Sequence, residues 1–331
     1  MIAAYYYINY VTIEAFSLSL RAKTKLRGLL EIISSAAEFE EVPIRHHEDG
    51  LLRRIYDRVP VKIENANFND PHLKTAILLQ AHFSRLVLPP DLESDQKLIL
   101  GKIIRLLQAC VDVVSSNGWL PPALSAMELC QMSVQALWDR DSPLKQIPHF
   151  SDEIIQKLNS DGVEGIFDLM EIDDKKRNSI LSLDKARLAD VARFVNQYPN
   201  VDVQFELETE TVEAGDVVTV IISLEREGEE DESLGPVIAP FYPFKKDEGW
   251  WLVIGNTADK SLLAIKRTSF GVQATTKLEF NAPSLVGPLN CKMYLMSDSY
   301  LGVDQEFDLS LNITEAQEGS DDEMDDNMEQ D

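Results

Sequence analysis

The chain has 331 residues, of which 44% are hydrophobic and 26% are charged, a composition that excludes a disordered chain and is typical of globular proteins with buried cores. Its length favours two or three domains. The net charge is −25, and most of it lies beyond residue 200: residues 1–200 contain 23 basic and 27 acidic side chains, whereas residues 201–331 contain 8 basic and 29 acidic ones. Because an acidic surface repels phosphates, the second part is expected to bind proteins and not to bind nucleic acid broadly.

The first segment, residues 2–20, is strongly apolar but contains Asn9 and Glu14 and lacks a basic leader or a cleavage site. We expect neither a signal peptide nor a membrane span there. Because a soluble domain rarely begins with its most hydrophobic helix uncapped, we expect Met1 to mark a cut in a longer protein. Three cysteines without C-x-x-C spacing indicate a reducing compartment and no zinc site.

Apolar residues recur at helical spacing up to Tyr198. The spacing predicts helices over residues 2–16, 24–37, 46–59, from 71, 94–116, 121–138, from 152, 162–170, 173–181 and 184–196. Asp70 followed by Pro71 is typical of a helix start, as is Ser151 before two acids. Asn117 and Gly118 predict a left-handed helix end.

The predicted helix 94–116 is apolar around most of its circumference. One narrow polar stripe runs along it at three-to-four spacing, formed by Lys102, Arg105, Gln108, Asp112 and Ser116. Such a stripe either faces solvent or lines a channel for nucleic acid. Spacing alone favours solvent.

A linker is predicted over residues 141–148, which contain two prolines. The short helices after it suggest a helix-loop-helix around the turn from Gly162 to Gly165. Asp161 and Glu164 flank this turn, and the glycine spacing of DNA-binding hairpins is missing. The pattern therefore favours a structural hairpin over a DNA-binding one.

From Val201 onward apolar and polar residues alternate, which is typical of strands with one buried face. Strands are predicted over residues 201–207, 217–225, 237–241, 250–254, 262–268, 275–280, 292–297 and 307–313. Strands this short, separated by turn residues, predict an immunoglobulin-like, fibronectin type III-like β-sandwich. The predicted fold is therefore a multidomain α and all-β chain in which a helical bundle (1–140) precedes a helix-loop-helix (141–198) and the sandwich (199–315).

Two adjacent tryptophans, Trp250 and Trp251, fall on opposite faces of one predicted strand. One indole belongs in the core, and the other is either exposed or covered by a neighbour. An exposed tryptophan is a candidate partner-binding hot spot. The alternative, packing against an adjacent domain, is favoured.

The tail, residues 316–331, is acidic and carries no base, and we expect it to be disordered. Ser320 lies before three acids and is a candidate phosphosite for an acid-directed kinase. Plain solvation of an acidic tail explains the same pattern.

Catalytic motifs are missing from the sequence: no phosphate cradle, no nucleophile elbow, no zinc helix and no dinucleotide fingerprint occurs. We therefore expect this chain not to be an enzyme and to bind no cofactor and no metal. The run from His46 to Asp49 contains potential ligands, but adjacent helical positions point about 100° apart and do not converge on one ion.

The order of bundle, helix-loop-helix and sandwich resembles the Sec sixty-three unit. The stretches that carry the resemblance are TIEAFSLSL (12–20), IRHHEDGLLR (44–53), FNDPHLKTAILLQAHFSR (68–85), QACVDVVSSNGWLPPALSAMELCQM (108–132), GPVIAPFYPFKKDEGWWLVIGN (235–256) and LMSDSYLGVDQEF (295–307). They look most like the last such unit of large two-cassette spliceosomal RNA helicases, which unwind the U4/U6 duplex.

The resemblance implies that a long bundle helix contacts single-stranded RNA, and it assigns Lys102 and Arg105 to that contact. Gln108 departs from the basic residue of active relatives, which fits a regulatory cassette. The implied role is a nuclear, non-catalytic interaction platform in pre-mRNA splicing, with spliceosomal proteins and the upstream helicase domains as partners and no membrane. The alternative is the translocon subunit of the endoplasmic reticulum that gives the unit its name.

Overall fold

The computed structural model describes residues 1–209, 211–228 and 235–316. Helices occupy the first part of the chain and strands begin at Val201, as the change of period predicts. The α-helices are α1 (Ile2–Tyr6), α2 (Tyr10–Ser19), α3 (Leu26–Ser34), α4 (Asp49–Arg58), α5 (Pro71–Phe83), α6 (Pro90–Ser116), α7 (Leu120–Gln135), α8 (Asp152–Ser160), α9 (Ile166–Glu171), α10 (Asp174–Leu181) and α11 (Lys185–Gln197). Short 3-10 turns lie at Ala37–Phe39 and Pro143–Gln146.

The apolar N-terminal segment forms two helices instead of the single predicted one. The chain turns at Tyr7, whose φ of 52° lies in the left-handed region. Asn9 then begins α2, because its side chain accepts a hydrogen bond from the Val11 N–H at 3.0 Å. Periodicity missed this break because the residues on both sides of it are apolar.

Three of the predicted helix signals elsewhere are confirmed. The Asp70 side chain accepts the His72 N–H at 2.9 Å at the start of α5, and Ser151 caps α8. Gly118 has a φ of 68° after the end of α6. α6 itself begins at Pro90, earlier than predicted, since proline suits the first turn of a helix.

Two sheets follow the helices. The strands are β1 (Val201–Leu207), β2 (Val212–Glu213), β3 (Val217–Arg226), β4 (Trp250–Asn256), β5 (Leu262–Thr268), β6 (Gln273–Asn281), β7 (Gly287–Ser297) and β8 (Gln305–Thr314). One sheet has the order β1-β3-β6 and the other β2-β8-β7-β4-β5. All pairs are antiparallel except β2 with β8.

The strand predicted over residues 237–241 is wrong. This segment belongs to a loop, residues 237–246, which we call the aromatic loop. Its run of valine, isoleucine and aromatic residues resembles a strand, but Pro240 and Pro243 cannot donate to a sheet ladder. Those prolines were the sequence signal against the strand.

Two hydrophobic cores hold the chain together. The first joins α1–α7 to one face of the five-stranded sheet, through Trp251, Val253, Leu262 and Met296. The second fills the space between the two sheets and includes the apolar side chains of α8–α11. The helix-loop-helix therefore shares its core with the β region.

Polar side chains join the helices to the connection between β7 and β8. Gln131 Nε2 donates to the Ser297 carbonyl at 2.8 Å, and Gln135 Nε2 donates to the Ser299 carbonyl at 2.9 Å. Gln146 exchanges two hydrogen bonds of 2.9 Å with the backbone of Leu301. Because all three glutamines are nearly inaccessible, these bonds satisfy buried groups and fix the helices relative to the sheet.

Candidate nucleic-acid and protein interface

The polar stripe of α6 was the main site prediction, and the structure places it on a half-exposed face. The opposite side of α6 lies in the first core, where Ile99, Ile103, Leu107 and Val114 are almost completely buried. Lys102, Arg105, Gln108 and Asp112 are all of intermediate accessibility. The two predicted contact residues differ in what surrounds them.

Lys102 is bound within the chain. Its Nζ donates to the Glu38 carbonyl at 2.8 Å and lies 3.1 Å from Glu41 Oε2. Lys102 therefore anchors the segment after α3 to α6, and its charge is already compensated.

Arg105 has no hydrogen bond, ion pair or ring partner among the residues that the structure describes. Its Nε is buried and unpaired. A buried donor without an acceptor is unfavourable. Of the two predicted cations, Arg105 is the one left free to bind a ligand.

The far end of the stripe carries negative charge. Tyr6 Oη donates to Asp112 Oδ2 at 2.9 Å, which ties α1 to α6. Burial raises the pKa of the Asp112 carboxyl, and the hydrogen bond from Tyr6 opposes that shift. The end of α6 near Asp112 is thus less suited to a phosphate than the middle.

The aromatic loop packs on α6 about one turn before Arg105, at Leu100 and Gly101. Tyr242 Oη donates to the Leu100 carbonyl at 3.3 Å, and the Phe244 ring lies over Gly101, where a Cβ would be only 3.2 Å from Phe244 Cζ. The missing side chain at Gly101 is what allows this approach. Sequence reasoning missed the contact because it assigned this segment to the sheet.

A second group of charges, which the sequence did not reveal, lies inside the helical region. Lys74 is fully buried, and its Nζ is 2.6 Å from Glu48 Oε1 and 2.7 Å from Asp95 Oδ2. It also donates to the Pro43 carbonyl at 2.5 Å. Arg45 binds Asp95 through both terminal nitrogens. We call these four charged side chains the buried ion cluster; Glu48, part of the run from His46 to Asp49, is a member.

Both tryptophans proposed as partner-binding candidates are buried, each with 1% exposure. Trp250 lies in the second core and Trp251 in the first, against the Met296 side of the sheet. Arg267 covers the Trp251 ring, with its Cζ 5.5 Å from the ring centroid. Neither indole is exposed, and Trp251 packs in the core that the sheet shares with α1–α7.

Ser320 and nearly all of the predicted disordered tail lie outside the described residues. In residues 1–209, 211–228 and 235–316, no group of three or more His, Cys, Asp or Glu side chains is arranged to hold a metal ion. None of the described helices is long and apolar enough to cross a membrane.

Comparison with known proteins places the chain in a family. Residues 1–310 match the family described as Sec63 Brl domain. The U5 small nuclear ribonucleoprotein 200 kDa helicase of Homo sapiens is 55% identical over 322 residues, which are 97% of this chain and 15% of that protein. Pre-mRNA-splicing factor brr2 of Schizosaccharomyces pombe is 51% identical over 317 residues (95% and 14%).

A plant relative agrees. The DExH-box ATP-dependent RNA helicase DExH12 of Arabidopsis thaliana is 46% identical over 317 residues, or 95% of this chain and 15% of that protein. The chain thus spans about 15% of the length of these relatives. With the family match over nearly all of the described residues, the chain belongs to the Sec63 Brl domain family, and it is similar to a helicase of the U5 small nuclear ribonucleoprotein and to a pre-mRNA-splicing factor.

Proposed function

We propose that this chain is a non-catalytic module of a spliceosomal RNA helicase and acts as an interaction and regulatory platform in pre-mRNA splicing. Its relatives are helicases several times its length, and its sequence lacks a phosphate cradle of its own. Its partners are the helicase domains of a longer polypeptide and other spliceosomal proteins, in the nucleus. U4/U6 unwinding is the reaction it regulates.

The observation that carries this proposal is an exposed aromatic surface on α1 and α2. Tyr5, Tyr7 and Tyr10 are exposed by 72%, 87% and 72%. Val11 and Leu18 of α2 are also exposed, by 56% and 67%. Several large apolar side chains in water within one short segment are typical of a protein interface, and tyrosine is enriched at binding hot spots. We call it the tyrosine surface.

The relatives favour the helicase over the translocon alternative, because those at 46–55% identity carry helicase and splicing names. The tyrosine surface then docks against the helicase domains. RNA contact, the weaker second activity, falls to Arg105, since Lys102 is already bound within the chain.

We also infer that the two sheets form an immunoglobulin-like sandwich. The order β1-β3-β6 opposite β8-β7-β4-β5 corresponds to strands A, B and E facing G, F, C and C′ of a fibronectin type III-like domain. We also infer domain boundaries near residues 140, 198 and 315. The core between the sheets supports the sandwich.

The docking proposal is tested with Tyr5→Ser, Tyr7→Ser and Tyr10→Ser combined in the full chain. The measurement is affinity for the remainder of the human 200 kDa helicase by isothermal titration calorimetry. Loss of three aromatic contacts should weaken binding at least 10-fold, since single hot-spot residues contribute about 2 kcal/mol or more.

The matched control replaces exposed apolar residues at the far end of the β region, Leu285→Ser with Val286→Ser. It should leave the affinity unchanged. Equal affinities for the tyrosine variant and the parent chain would refute the docking surface. Phosphate release from ATP by the purified chain would refute the non-catalytic assignment.

A further inference from the structure

A groove of about 460 Å³ lies between α10, α11 and the ends of two strands. It opens to solvent beside Ala192 of α11, which is exposed. Grooves of this size with an apolar lining are typical of sites that bind a ligand or a partner side chain. We call it the α10–α11 groove. Its apolar lining includes Met170, Leu181, Leu188, Val191 and Val195.

Two side-chain amides of the α10–α11 groove are free to bind. Asn178 of α10 and Asn196 of α11 both line it, and neither side chain is hydrogen-bonded to another residue in the described part of the chain. An amide offers a donor and an acceptor, as each unit of a peptide backbone does. The groove therefore suits an extended peptide, whose backbone presents the complementary groups.

The groove continues onto the three-stranded sheet. Asn200, which precedes β1, and Glu227, which follows β3, both line it. The Glu227 N–H donates to the Asn200 carbonyl at 2.9 Å, and Asn200 Nδ2 donates to Glu227 Oε2 at 2.5 Å. Asp202 and Glu225 lie two residues further along these strands, which is about 7 Å. A peptide of a few residues can therefore reach from the groove to the outer face of the sheet.

The outer face of this sheet carries two opposed carboxylates. Asp202 lies directly opposite Glu225 in the register of β1 and β3, and both are exposed. Neither forms an ion pair with any cation that the structure describes. Like charges directly opposite each other destabilise a sheet. A cation supplied by a ligand would remove that repulsion.

The other acids of this face add to the negative charge. Glu206 and Glu279 are exposed on it, opposite Ile221 and Thr219 of β3, and within the described residues they form no ion pair. Glu208 is the exception, because Lys277 Nζ lies 2.6 Å from its Oε1. One cation therefore faces five carboxylates.

The helices beside the groove do not balance this face. Their ion pairs are Lys176 with Asp161, Arg177 with Asp174, Arg187 with Asp184 and Arg193 with Asp190. Two exposed cations of α10 and α11, Lys175 and Lys185, are left without an ion pair in the described chain, and Glu171 and Asp173 offset them in number. The excess charge around the groove is negative, so the complementary ligand is basic.

We propose that the α10–α11 groove and the adjoining sheet face bind a basic, extended segment of a partner protein. One large apolar side chain of that segment enters the groove, and its backbone binds Asn178 and Asn196. Neighbouring lysine or arginine side chains pair with Asp202 and Glu225. This site is separate from the tyrosine surface and does not depend on it.

The test measures fluorescence anisotropy of a labelled peptide, GKRLKRG, titrated with the full chain. A second peptide, GKRGKRG, has the same charge but no apolar anchor, and it reports purely electrostatic binding, including binding to the acidic tail. The leucine peptide should bind at least about 10-fold more tightly than the glycine peptide, because its anchor fills the groove.

Ala192→Phe fills the groove and changes no charge. It should weaken binding of the leucine peptide at least about 10-fold and leave the glycine peptide unaffected. The matched control is Ala186→Phe, because Ala186 is also an exposed alanine of α11 but does not line the groove. It should bind both peptides as the parent chain does.

Asp202→Asn with Glu225→Gln removes the opposed charges. Binding of the leucine peptide should weaken roughly 2-fold to 30-fold for the two lost ion pairs. The melting temperature should stay the same or rise, since the repulsion is gone; a purely structural role for these acids would lower it. The control with the same charge change is Glu14→Gln with Glu64→Gln, at exposed positions of the helical region.

Three results would overturn the proposal: equal affinity for the two peptides, parent affinity in Ala192→Phe, or equal losses in the charge variant and its control. If the chain is a dimer in sedimentation and Ala192→Phe makes it a monomer, the groove holds a second copy and the proposal is wrong. The calorimetric test of the tyrosine surface succeeds or fails independently of these outcomes.

Discussion

Two sets of positive side chains in the helical region differ in what surrounds them. Lys74 of the buried ion cluster is inaccessible and lies against two carboxylates and a carbonyl oxygen. Lys97 and Arg105 lie on the half-open face of α6, and no described carboxylate binds them. The residue types are similar, but their electrostatic surroundings are opposite.

The difference teaches that a cation paired with carboxylates of the same chain has a structural role, whereas an unpaired one is available for binding. Burying Lys74 is tolerated only because Glu48 and Asp95 together balance the charges of Lys74 and Arg45. Lys102 shows the intermediate case, because it lies on the stripe but is bound by the segment after α3. Three pairs of variants sharpen this comparison.

The largest effect is expected for Lys74→Met. Removing the cation leaves Glu48 and Asp95 close together with only Arg45 to balance them, and breaking a buried pair costs about 3–5 kcal/mol. Urea unfolding should show that loss in the free energy of unfolding. Lys97→Met, the exposed counterpart, should change it by less than about 0.5 kcal/mol; similar losses in both variants would remove the distinction.

A smaller effect concerns His82, a buried group of α5 that avoids charge instead of compensating it. Burial lowers the pKa of His82 from 6.5 to about 4, and proximity to Arg85 adds to the shift, while its hydrogen bond to the Ser133 carbonyl opposes it. Between pH 6.5 and 4 the His82 imidazole is protonated in the unfolded chain but neutral in the folded chain. The free energy of unfolding therefore falls as the pH drops from about 6.5 to 4.

We expect this group to lower the free energy of unfolding by about 2–3 kcal/mol between pH 7 and pH 4. His82→Gln should remove that part of the pH dependence, as measured by denaturant unfolding at a series of pH values. His46→Gln, at an exposed position, is the control. An unchanged slope in His82→Gln would show that His82 is charged or accessible in the folded chain.

The smallest effect separates the two residues of the stripe. Lys102→Met should cost about 0.5–1 kcal/mol, since it breaks a partly exposed ion pair and a hydrogen bond to the backbone. Arg105→Met should cost nothing measurable or slightly stabilise the chain, because it removes an unpaired buried donor. Thermal unfolding of both variants checks this, and a larger loss for Arg105→Met would reveal a structural role.

The sequence predicted features that depend on local chemistry. The Asp70 cap with Pro71, the left-handed Gly118 and the alternation along β1 each follow from a few neighbouring residues. It failed where distant segments decide the outcome. The aromatic loop has the apolar composition of a strand, but its two prolines oppose a sheet ladder and it packs on α6 instead.

The same limit applies to the candidate site. Lys102 and Arg105 are one turn apart and indistinguishable by spacing, but the segment after α3 reaches only Lys102. The buried state of Lys74 was not predictable either, because its partners come from two other parts of the chain, residues 43–48 and Asp95 of α6. The alternation of Trp250 and Trp251 between two faces could be predicted, but which of the two faces the helices cover could not.

The alternation along β4 has a consequence for how this chain responds to change. From Trp250 to Ile254 every residue is buried, and successive side chains enter different cores. A displacement of the helices therefore acts on the same strand that lines the interior of the β region. A substitution that repacks one core therefore shifts the strand that lines the other, so neither core can be repacked independently.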